Sequence, residues 1–560
     1  MQQPKKRILI VGGVAGGASC AARLRRLCEQ CEIVLIDKGE HVSFANCGLP
    51  YFVGDVIKEE KKLLVATPDL FQNRFNIQVQ TRHEATAINR TEKTIAVTDL
   101  QTGEVRNEHY DALVLSTGAR AITPPLPGID LAGIHVLRTI PDSHKLKAAA
   151  KTAKRAVIIG GGFIGLEMAE NLAGLGLQVT LVEMAQQVMP PLDAEMASYV
   201  AICLEEHSIE LKLGYAVEAF KQTNDGLQVV YAGGEIETDL VLLAIGVAPA
   251  SELAREAGLE IGLRGGIRVS NTQQTSDPNI WAVGDVVEVQ DFVSRQKISL
   301  PLAGPANRQG RIAAASILES FNPAFNRRQR FRGVQGTAVC QVFGLTIAMT
   351  GISEKALQRA GMENYRAVYL HPGHHVSYYP GAEPIHMKLI YDRHTGKILG
   401  VQAVGKAGVT RRVDVIAMAI QMGATVFDLE EGELCYAPQF GGAKDPVNMA
   451  GMIAANNLRQ DLKLADWQML HDRRHTLLDV RSAAEFNTGH IEGAVNIPLE
   501  ELRRRIGELD GSRDTWLICG VGQRAYYAVR LLMQQGFQVR VLSGGMQTYQ
   551  AFRKAGLLPH

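Results

Sequence analysis

Residues 155–183 read RAVIIGGGFIGLEMAENLAGLGLQVTLVE, and this stretch decides the fold. The apolar run AVIIG has the length and composition of a buried parallel strand. It enters the turn Gly160-x-Gly162-x-x-Gly165, passes through a helical pattern, and ends in a second strand, QVTLVE, that closes on Glu183. Strand, glycine turn, helix and strand make a β-α-β unit. The first glycine permits the tight turn, the second lets backbone approach a pyrophosphate, and the third lets helix and strand pack closely. The helix N-terminus favours the negative charge. A carboxylate at Glu183 accepts from a free 2′-hydroxyl and repels a 2′-phosphate, so NADH is expected over NADPH. No arginine follows Glu183 immediately, which agrees.

The same grammar occurs earlier. RILIV at 7–11 leads into Gly12-Gly13-Val14-Ala15-Gly16-Gly17, a helical pattern over 16–28, and the strand EIVLID ending on Asp37, 20 residues after Gly17. Val14 replaces the central glycine of the fingerprint. Two such units imply two nucleotide sites. The strand-and-glycine pattern DALVLSTGA (111–119) returns as DLVLLAIGVAP (239–249), and IWAVGD (280–285) is a further strand ending in Gly-Asp. From about 330 to 455 the texture changes to short strands with a helix near 410–423, a separate α+β domain. Residues 456–470 read as a linker, and 476–560 as a small α/β unit with strands at 476–480, 515–519 and 538–542.

The 560 residues allow roughly three to five domains. Hydrophobic residues are 46% and charged residues 21%, an ordinary globular balance that argues against disorder. Lys+Arg is 59 and Asp+Glu 58, so the basic footprint of a nucleic-acid protein is missing. No apolar run reaches the roughly 18–20 residues of a membrane span. KKRILIVGGVAGG imitates a signal peptide, but its apolar run stops at glycines after four residues, and a first strand is expected there. Eight cysteines are too few for a disulfide scaffold and suit a cytoplasmic protein with one or two reactive thiols.

The two dinucleotide units, the STGA turn Ser116–Ala119 and the late Val283-Gly284-Asp285 together resemble the flavin- and pyridine-nucleotide-dependent disulfide reductases, over roughly residues 5–455. The resemblance implies FAD in the first unit, with Gly12, Ala15, Gly16, Asp37, Thr117, Gly118 and Asp285 around it. NADH is then expected in the second, on Gly160, Gly162, Gly165, Glu183 and Gly246. Family members with two redox cysteines carry C-x4-C. This chain has SFANCGLPY, with the single Cys47, and resembles the single-cysteine branch of NADH oxidases, NADH peroxidases and coenzyme A-disulfide reductases. Cys47 is expected at a helix start beside the flavin, where the helix end lowers a thiol pKa and yields the nucleophilic thiolate. Oxidases and peroxidases of the branch carry a histidine in the first glycine loop. Ala15 stands there, which leaves the coenzyme A-disulfide reductases as the better match.

That subfamily binds coenzyme A phosphates through the first helix. Arg23 and Arg26 lie three apart on one face, and Ser19, Ser43 and Asn46 match further contacts. A family lysine near residue 75 is missing, and Arg74 is expected to replace it. The subfamily also donates two tyrosines from a partner subunit. Tyr378 in SYYPGA and Tyr436 in CYAPQF match them, and Lys444 matches a later coenzyme A contact. This implies a homodimer with active sites shared across the interface. A tyrosine hydroxyl can protonate a departing thiolate or sulfide.

Near the end, LLDVR (477–481), GHIEGAVNIP (489–498) and the loop Cys519-Gly520-Val521-Gly522-Gln523-Arg524 together resemble a rhodanese domain. There a cradle of backbone N–H groups stabilises a cysteine thiolate and then its persulfide. Arg524 is expected to support an anionic sulfur donor. Cys28-x-x-Cys31 lacks the second half of a zinc site and is given no role, as is the histidine group His371, His374 and His375, expected in a loop at a subunit interface. Cys203 and Cys340 read as core thiols. No metal is expected.

The expected fold is α/β, with two Rossmann-like dinucleotide-binding domains for FAD and NADH, an α+β dimerisation domain and a C-terminal α/β rhodanese domain. The expected limits are 1–150 and 271–327 for the FAD-binding domain, 151–270 for the NADH-binding domain, 328–455 for dimerisation, 456–470 for a linker and 471–560 for the rhodanese. The expected activity is NADH-dependent reduction of persulfide or polysulfide sulfur through Cys47 and coenzyme A, with Cys519 handling sulfane sulfur. The alternatives are a coenzyme A-disulfide reductase for thiol homeostasis and, in another class, a redox- or sulfur-sensing binding protein.

Overall fold

The computed structural model describes residues 5–471 and 474–558. The chain divides into two compact units. One joins the residues up to 184 with 215–334, and the other joins 185–214 with the residues from 335 onward.

In the first unit a parallel sheet runs Ile280–Ala282, Ala112–Leu115, Arg7–Val11, Glu32–Asp37, Gln78–Thr81. Both faces of this sheet are covered, which explains why its strands are unbroken apolar runs. Ile8, Ile10, Ile33 and Leu35 face the helices Ala15–Leu27 and Ala303–Phe321. Leu9, Val11, Val34 and Ile36 face the opposite way, where Ile95 and Val97 of a three-stranded antiparallel meander complete the core. The segment imitating a signal peptide is therefore the central strand of this sheet.

A second parallel array runs Gln178–Glu183, Arg155–Ile159, Leu240–Leu243, Ile134–Val136. The two glycine turns match in detail. A Cβ at Gly17 would lie 1.9 Å from the Gly12 carbonyl oxygen, and one at Gly165 would lie 1.9 Å from that of Gly160. Only glycine permits that approach of helix to strand.

In the second unit an antiparallel sheet runs Ala338–Val342, Leu345–Gly351, Ile398–Gly405, Ile385–Asp392, Tyr365–Leu370. The helix Val409–Met422 packs on it, ending at Gly423 in the left-handed region. The segment 185–214 is fastened to this unit by buried charge. Lys388 is fully buried, and its ammonium donates to Asp193 at 2.8 Å, to Glu195 at 2.5 Å and to Glu354. The cation sits among the three carboxylates, of which Asp193 and Glu195 are buried and Glu354 is partly open to solvent, and offsets their mutual repulsion.

The last parallel sheet runs Val495–Asn496, Thr476–Asp479, Thr515–Ile518, Val539–Val541. Its strands alternate between two cores: Leu477, Trp516 and Ile518 on one side, Leu478, Leu517 and Cys519 on the other. Within 456–470, Leu462, Ala465, Trp467 and Leu470 are buried in these same cores. The first of them also holds Tyr369, whose backbone N–H donates to Ser543 Oγ at 2.8 Å. His371 follows the strand Tyr365–Leu370 and is half-buried, with one ring nitrogen 2.8 Å from Thr548 Oγ1 and the other 2.9 Å from His386, and desolvation pushes its pKa down.

One cysteine pair differs from expectation. Cys28 and Cys31 form a disulfide in the tight turn between the first helix and the second strand. The turn brings the two side chains together, and the Cys31 N–H donates to Cys28 Sγ. Cys203 and Cys340 are buried, as expected of core thiols. Among the described residues no helix is long and apolar enough to cross a membrane.

Candidate active site

The two nucleotide turns use one device. Asp37 accepts from the Gly13 N–H at 2.7 Å, and Glu183 accepts from the Gly161 N–H at 2.7 Å. Each acid thus orients its own glycine loop. Asp37 also accepts from Gly39, and burial raises its pKa. Ala15 and Gly16 open the first helix, and a Cβ at Gly16 would lie 2.9 Å from Val283 Cγ2. Thr117 Oγ1 donates to the Ala250 carbonyl at 2.6 Å. Gly118 (φ +71°) and Gly246 (φ +113°) adopt the left-handed region beside the paired strands Ala119–Ala121 and Val247–Pro249. Around Gly162 the structure is open: a Cβ there would meet nothing within 4 Å. These turns have the room and donor pattern for a pyrophosphate.

Cys47 lies on the short helical turn Asn46–Gly48, which runs into the helix Leu49–Val53. Its position at a helix start is as expected, and its thiol is exposed. Its pKa is not lowered. Desolvation pushes the thiol up, the Glu167 carboxylate adds to this, and only its own backbone N–H and Arg138 pull it down. A helix of this length has too few aligned peptide dipoles to overcome a nearby carboxylate. Glu167 stands on the helix Phe163–Gly174 and accepts from Tyr51 Oη at 3.3 Å. Burial raises its pKa to about 7. Arg138 donates to Asp285 Oδ2 at 3.1 Å and lies against the Asn46 amide.

A cleft of about 330 Å³ opens beside the first helix. Four of the residues expected to contact coenzyme A, Ser19, Arg23, Arg26 and Ser43, line it together with Phe71 and Arg311, and Asn46 does not. Ser43 has φ +48°, and its N–H donates to the Gly13 carbonyl at 2.8 Å, which ties the cleft wall to the glycine turn. Arg74 is exposed and does not line the cleft. Phe71 and Phe75, four apart on the helix Pro68–Phe75, take the inward face instead.

In the second unit Tyr378 and Tyr436 come together, with hydroxyls 2.9 Å apart. This bond pushes the Tyr378 phenol up. Their loops are tied by the buried Arg412, which donates to the His374 carbonyl at 2.7 Å and pairs with Asp445 at 2.9 Å. Lys444, next to Asp445, is exposed. Tyr378, Tyr379, Tyr436 and Phe440 form an exposed aromatic group, the usual composition of an interface centre.

Cys519 ends the buried strand Thr515–Ile518, and the Gly522 N–H donates to its Sγ at 3.1 Å. The loop is braced from behind. Met546 N–H donates to the Cys519 carbonyl at 2.8 Å and Gln547 N–H to that of Gly520 at 3.1 Å. Arg524 makes a bidentate pair with Glu485, at 2.7 and 2.6 Å, and holds that carboxyl at about 2. Glu167, Arg138, Arg311 and Glu485 were not legible as site residues. Glu167 follows the second fingerprint by two residues, but nothing in its spacing points to Cys47.

Two nucleotide turns on parallel sheets, followed by an antiparallel domain, define an oxidoreductase that takes a flavin and a pyridine nucleotide. The chain belongs to the pyridine nucleotide-disulphide oxidoreductases: residues 6–310 match that family and 337–445 its dimerisation domain, while 466–552 match the rhodanese-like domain. It is an FAD- and NADH-dependent disulfide or persulfide reductase with a fused rhodanese domain. It is 35% identical to the coenzyme A disulfide reductase of Staphylococcus haemolyticus over 451 residues, 80% of this chain and 99% of that one. The solved structure of reduced Bacillus anthracis CoADR-RHD superposes with a TM-score of 0.95 at 45% identity, over 98% of this chain and 99% of the other. The NAD-dependent persulfide reductase from A. fulgidus gives a TM-score of 0.89 at 36% identity, over 97% of this chain and 100% of the other.

Proposed function

We propose that this protein uses NADH to reduce the sulfur–sulfur bond of coenzyme A persulfide and related polysulfides, releasing sulfide. The carrying observation is that an intact, braced Cys519 cradle shares a chain with the single-cysteine site at Cys47. FAD, when bound, passes on the electron pair of NADH. The Cys47 thiolate attacks the coenzyme A sulfur of the persulfide. The Cys47–S–S–coenzyme A bond forms, the sulfane bond breaks, and hydrosulfide leaves. Two electrons then cleave the mixed disulfide, returning Cys47 as thiolate and coenzyme A as thiol. The sum is persulfide + NADH → thiol + HS⁻ + NAD⁺. Arg23 and Arg26 hold the phosphates, with Ser19, Ser43 and Asn46 near the carrier.

Tyr378 and Tyr436 of the partner subunit, with Lys444, would complete each site in a homodimer, which the exposed aromatic group supports. Cys519 takes up sulfane sulfur and exchanges it with coenzyme A, whose pantetheine arm ferries it. The cytoplasm, where thiols stay reduced, suits this chemistry. The domain limits read from the sequence belong to the same proposal.

The test is anaerobic NADH oxidation with coenzyme A persulfide and coenzyme A disulfide side by side, with sulfide recorded. Higher kcat/KM for the persulfide with stoichiometric sulfide is expected. Preference for the disulfide with no sulfide from persulfide would leave the second reading, a coenzyme A-disulfide reductase, which the staphylococcal relatives favour. Absence of turnover on either would leave a sensor.

A further inference from the structure

We propose that His371 and Thr548 are positioning residues for sulfur transfer at Cys519: through this pair the dimerisation domain fixes the glycine turn that backs the rhodanese loop. This rests on Cys519 handling sulfane sulfur. The loop carbonyls of Cys519 and Gly520 accept from the N–H groups of Met546 and Gln547. Both donors stand in the first turn of the helix Gly545–Lys554. That helix starts at Gly544 and Gly545, with φ +76° and +63°, and no side chain caps it. Two successive glycines in the left-handed region have little conformational preference of their own. The turn is therefore set by what packs against it.

That packing comes from the dimerisation domain. Tyr369 lies on the edge strand Tyr365–Leu370, and His371 follows it. Ser543 Oγ accepts from the Tyr369 N–H at 2.8 Å and donates to the Tyr369 carbonyl at 3.2 Å. A Cβ at Gly544 would lie 2.8 Å from Tyr369 Cβ, 2.9 Å from His371 Nε2 and 2.0 Å from Thr548 Oγ1. The Thr548 hydroxyl and His371 Nε2, 2.8 Å apart, thus close over the Gly544 backbone. Thr548 itself is buried. The other His371 nitrogen lies 2.9 Å from His386, whose ring stacks on Tyr199 at 4.0 Å. One donor and one acceptor are the full inventory of a neutral imidazole, and both nitrogens are used here. A ring held in this way gives the hydroxyl a fixed partner.

The chemistry at Cys519 depends on that placement. The Cys519 thiolate attacks the outer sulfur of a donor persulfide. A sulfur–sulfur bond to Cys519 forms, the donor's own breaks, and the donor leaves as thiolate. An acceptor thiolate or sulfite then takes the sulfur and returns the Cys519 thiolate. A shift near 1 Å at a reacting group costs about 10²-fold. Loss of one hydrogen bond loosens the turn without moving it outright, so the expected loss is smaller, about tenfold.

The experiment measures sulfur transfer by the full-length holoenzyme from glutathione persulfide to sulfite. Thiosulfate is recorded against an enzyme-free blank, with NADH-driven disulfide reduction as the control. Thr548→Val keeps the shape and removes the hydroxyl. It should lower kcat for transfer about tenfold, with donor KM and disulfide reduction each within about twofold of wild type. Thr548→Ser should restore kcat to within about threefold of wild type. His371→Leu should match Thr548→Val, and His371→Gln should recover part of the loss. The double variant His371→Leu/Thr548→Val should be no slower than either alone, because both changes remove one interaction. The His371 variants serve if Thr548→Val does not fold. Unchanged kcat in both single variants, additive losses in the double, no rescue by Thr548→Ser, or equal loss of disulfide reduction overturns the positioning role alone. Absence of transfer by wild type overturns that role together with the sulfane reading of Cys519.

Discussion

Cys519 ends a fully buried strand, whereas Cys47 sits exposed on a three-residue helical turn. The Cys519 sulfur takes an N–H from its own loop, and a second segment, Ser543–Gln547, braces that loop from behind. Every donor is backbone, so the cradle does not change with pH. Cys47 instead lies in a field of titrating side chains. Desolvation raises its pKa most, Glu167 and Asp285 add to this, and Arg138 lowers it. One cysteine is thus held by fixed peptide dipoles, suited to storing a sulfane sulfur. The other is set by charges that ligands and protons can alter, suited to a redox step repeated each cycle.

The largest expected effect separates the two by deletion. Cys47→Ser should lower NADH-driven sulfur–sulfur reduction by about 10³-fold or more. Cys519→Ser should leave coenzyme A-disulfide reduction within about twofold and abolish sulfur transfer. Stopped-flow absorbance of NADH alongside a sulfane-transfer assay reads both. If either variant affected both activities alike, the division of labour would be wrong.

A smaller effect tests the brace. Gly545 has φ +63°, and a Cβ there would lie 2.2 Å from the Cys519 carbonyl oxygen. Gly545→Ala must displace the loop, and a shift near 1 Å at a reacting group costs about 10²-fold. Sulfur transfer should fall by that order while disulfide reduction persists. Unchanged transfer would show that the brace does not set the loop.

The smallest effect concerns protons at Cys47. Glu167 titrates at about 7, so between pH 6 and 8 it gains charge and holds the Cys47 proton more firmly. The alkylation rate of Cys47 should therefore rise with pH less steeply than a single titration. Glu167→Gln should restore a simple curve and lower the thiol pKa. Mass spectrometry of the alkylated peptide against pH reads this. The same group bears on stability. Its folded pKa lies above the ordinary 4.5, so the folded state binds the extra proton between these values and stability falls as pH rises through the window. The variant should lose that dependence, and a Tm series from pH 4 to 8 showing the same slope in both proteins would contradict it.

Much of the site was legible because its parts are local. Gly12, Gly17, Gly160 and Gly165 follow from spacing, and the structure shows each pressed to about 2 Å against backbone, where a side chain cannot fit. Cys47 and Cys519 were legible through the resemblance their motifs carry to known families. The lowered pKa expected for Cys47 was not found, since the helix-end rule carries no information about which carboxylate stands opposite. Arg74 failed to reach the cleft because helical spacing turns Phe71 and Phe75 inward and leaves it outside. The Cys28–Cys31 disulfide and the contacts of His371 with Thr548 and His386 were missed because a surface motif and a histidine cluster look alike whether or not a neighbour packs on them.

Resemblance to known families pointed to Cys47 and Cys519, while sequence spacing alone determined the two β-α-β turns and the acids Asp37 and Glu183 that close their units. Each of these depends on a spacing of a few to about thirty residues along one chain segment, and backbone geometry translates such spacings directly into structure. Only the tertiary structure decided that Arg311 faces Arg23, that Glu167 adds to the raised Cys47 pKa, that Tyr378 meets Tyr436 and that Gly545 backs Cys519. These partners lie 26 to 288 residues apart, and only the packing of sheets and helices sets distances over such separations.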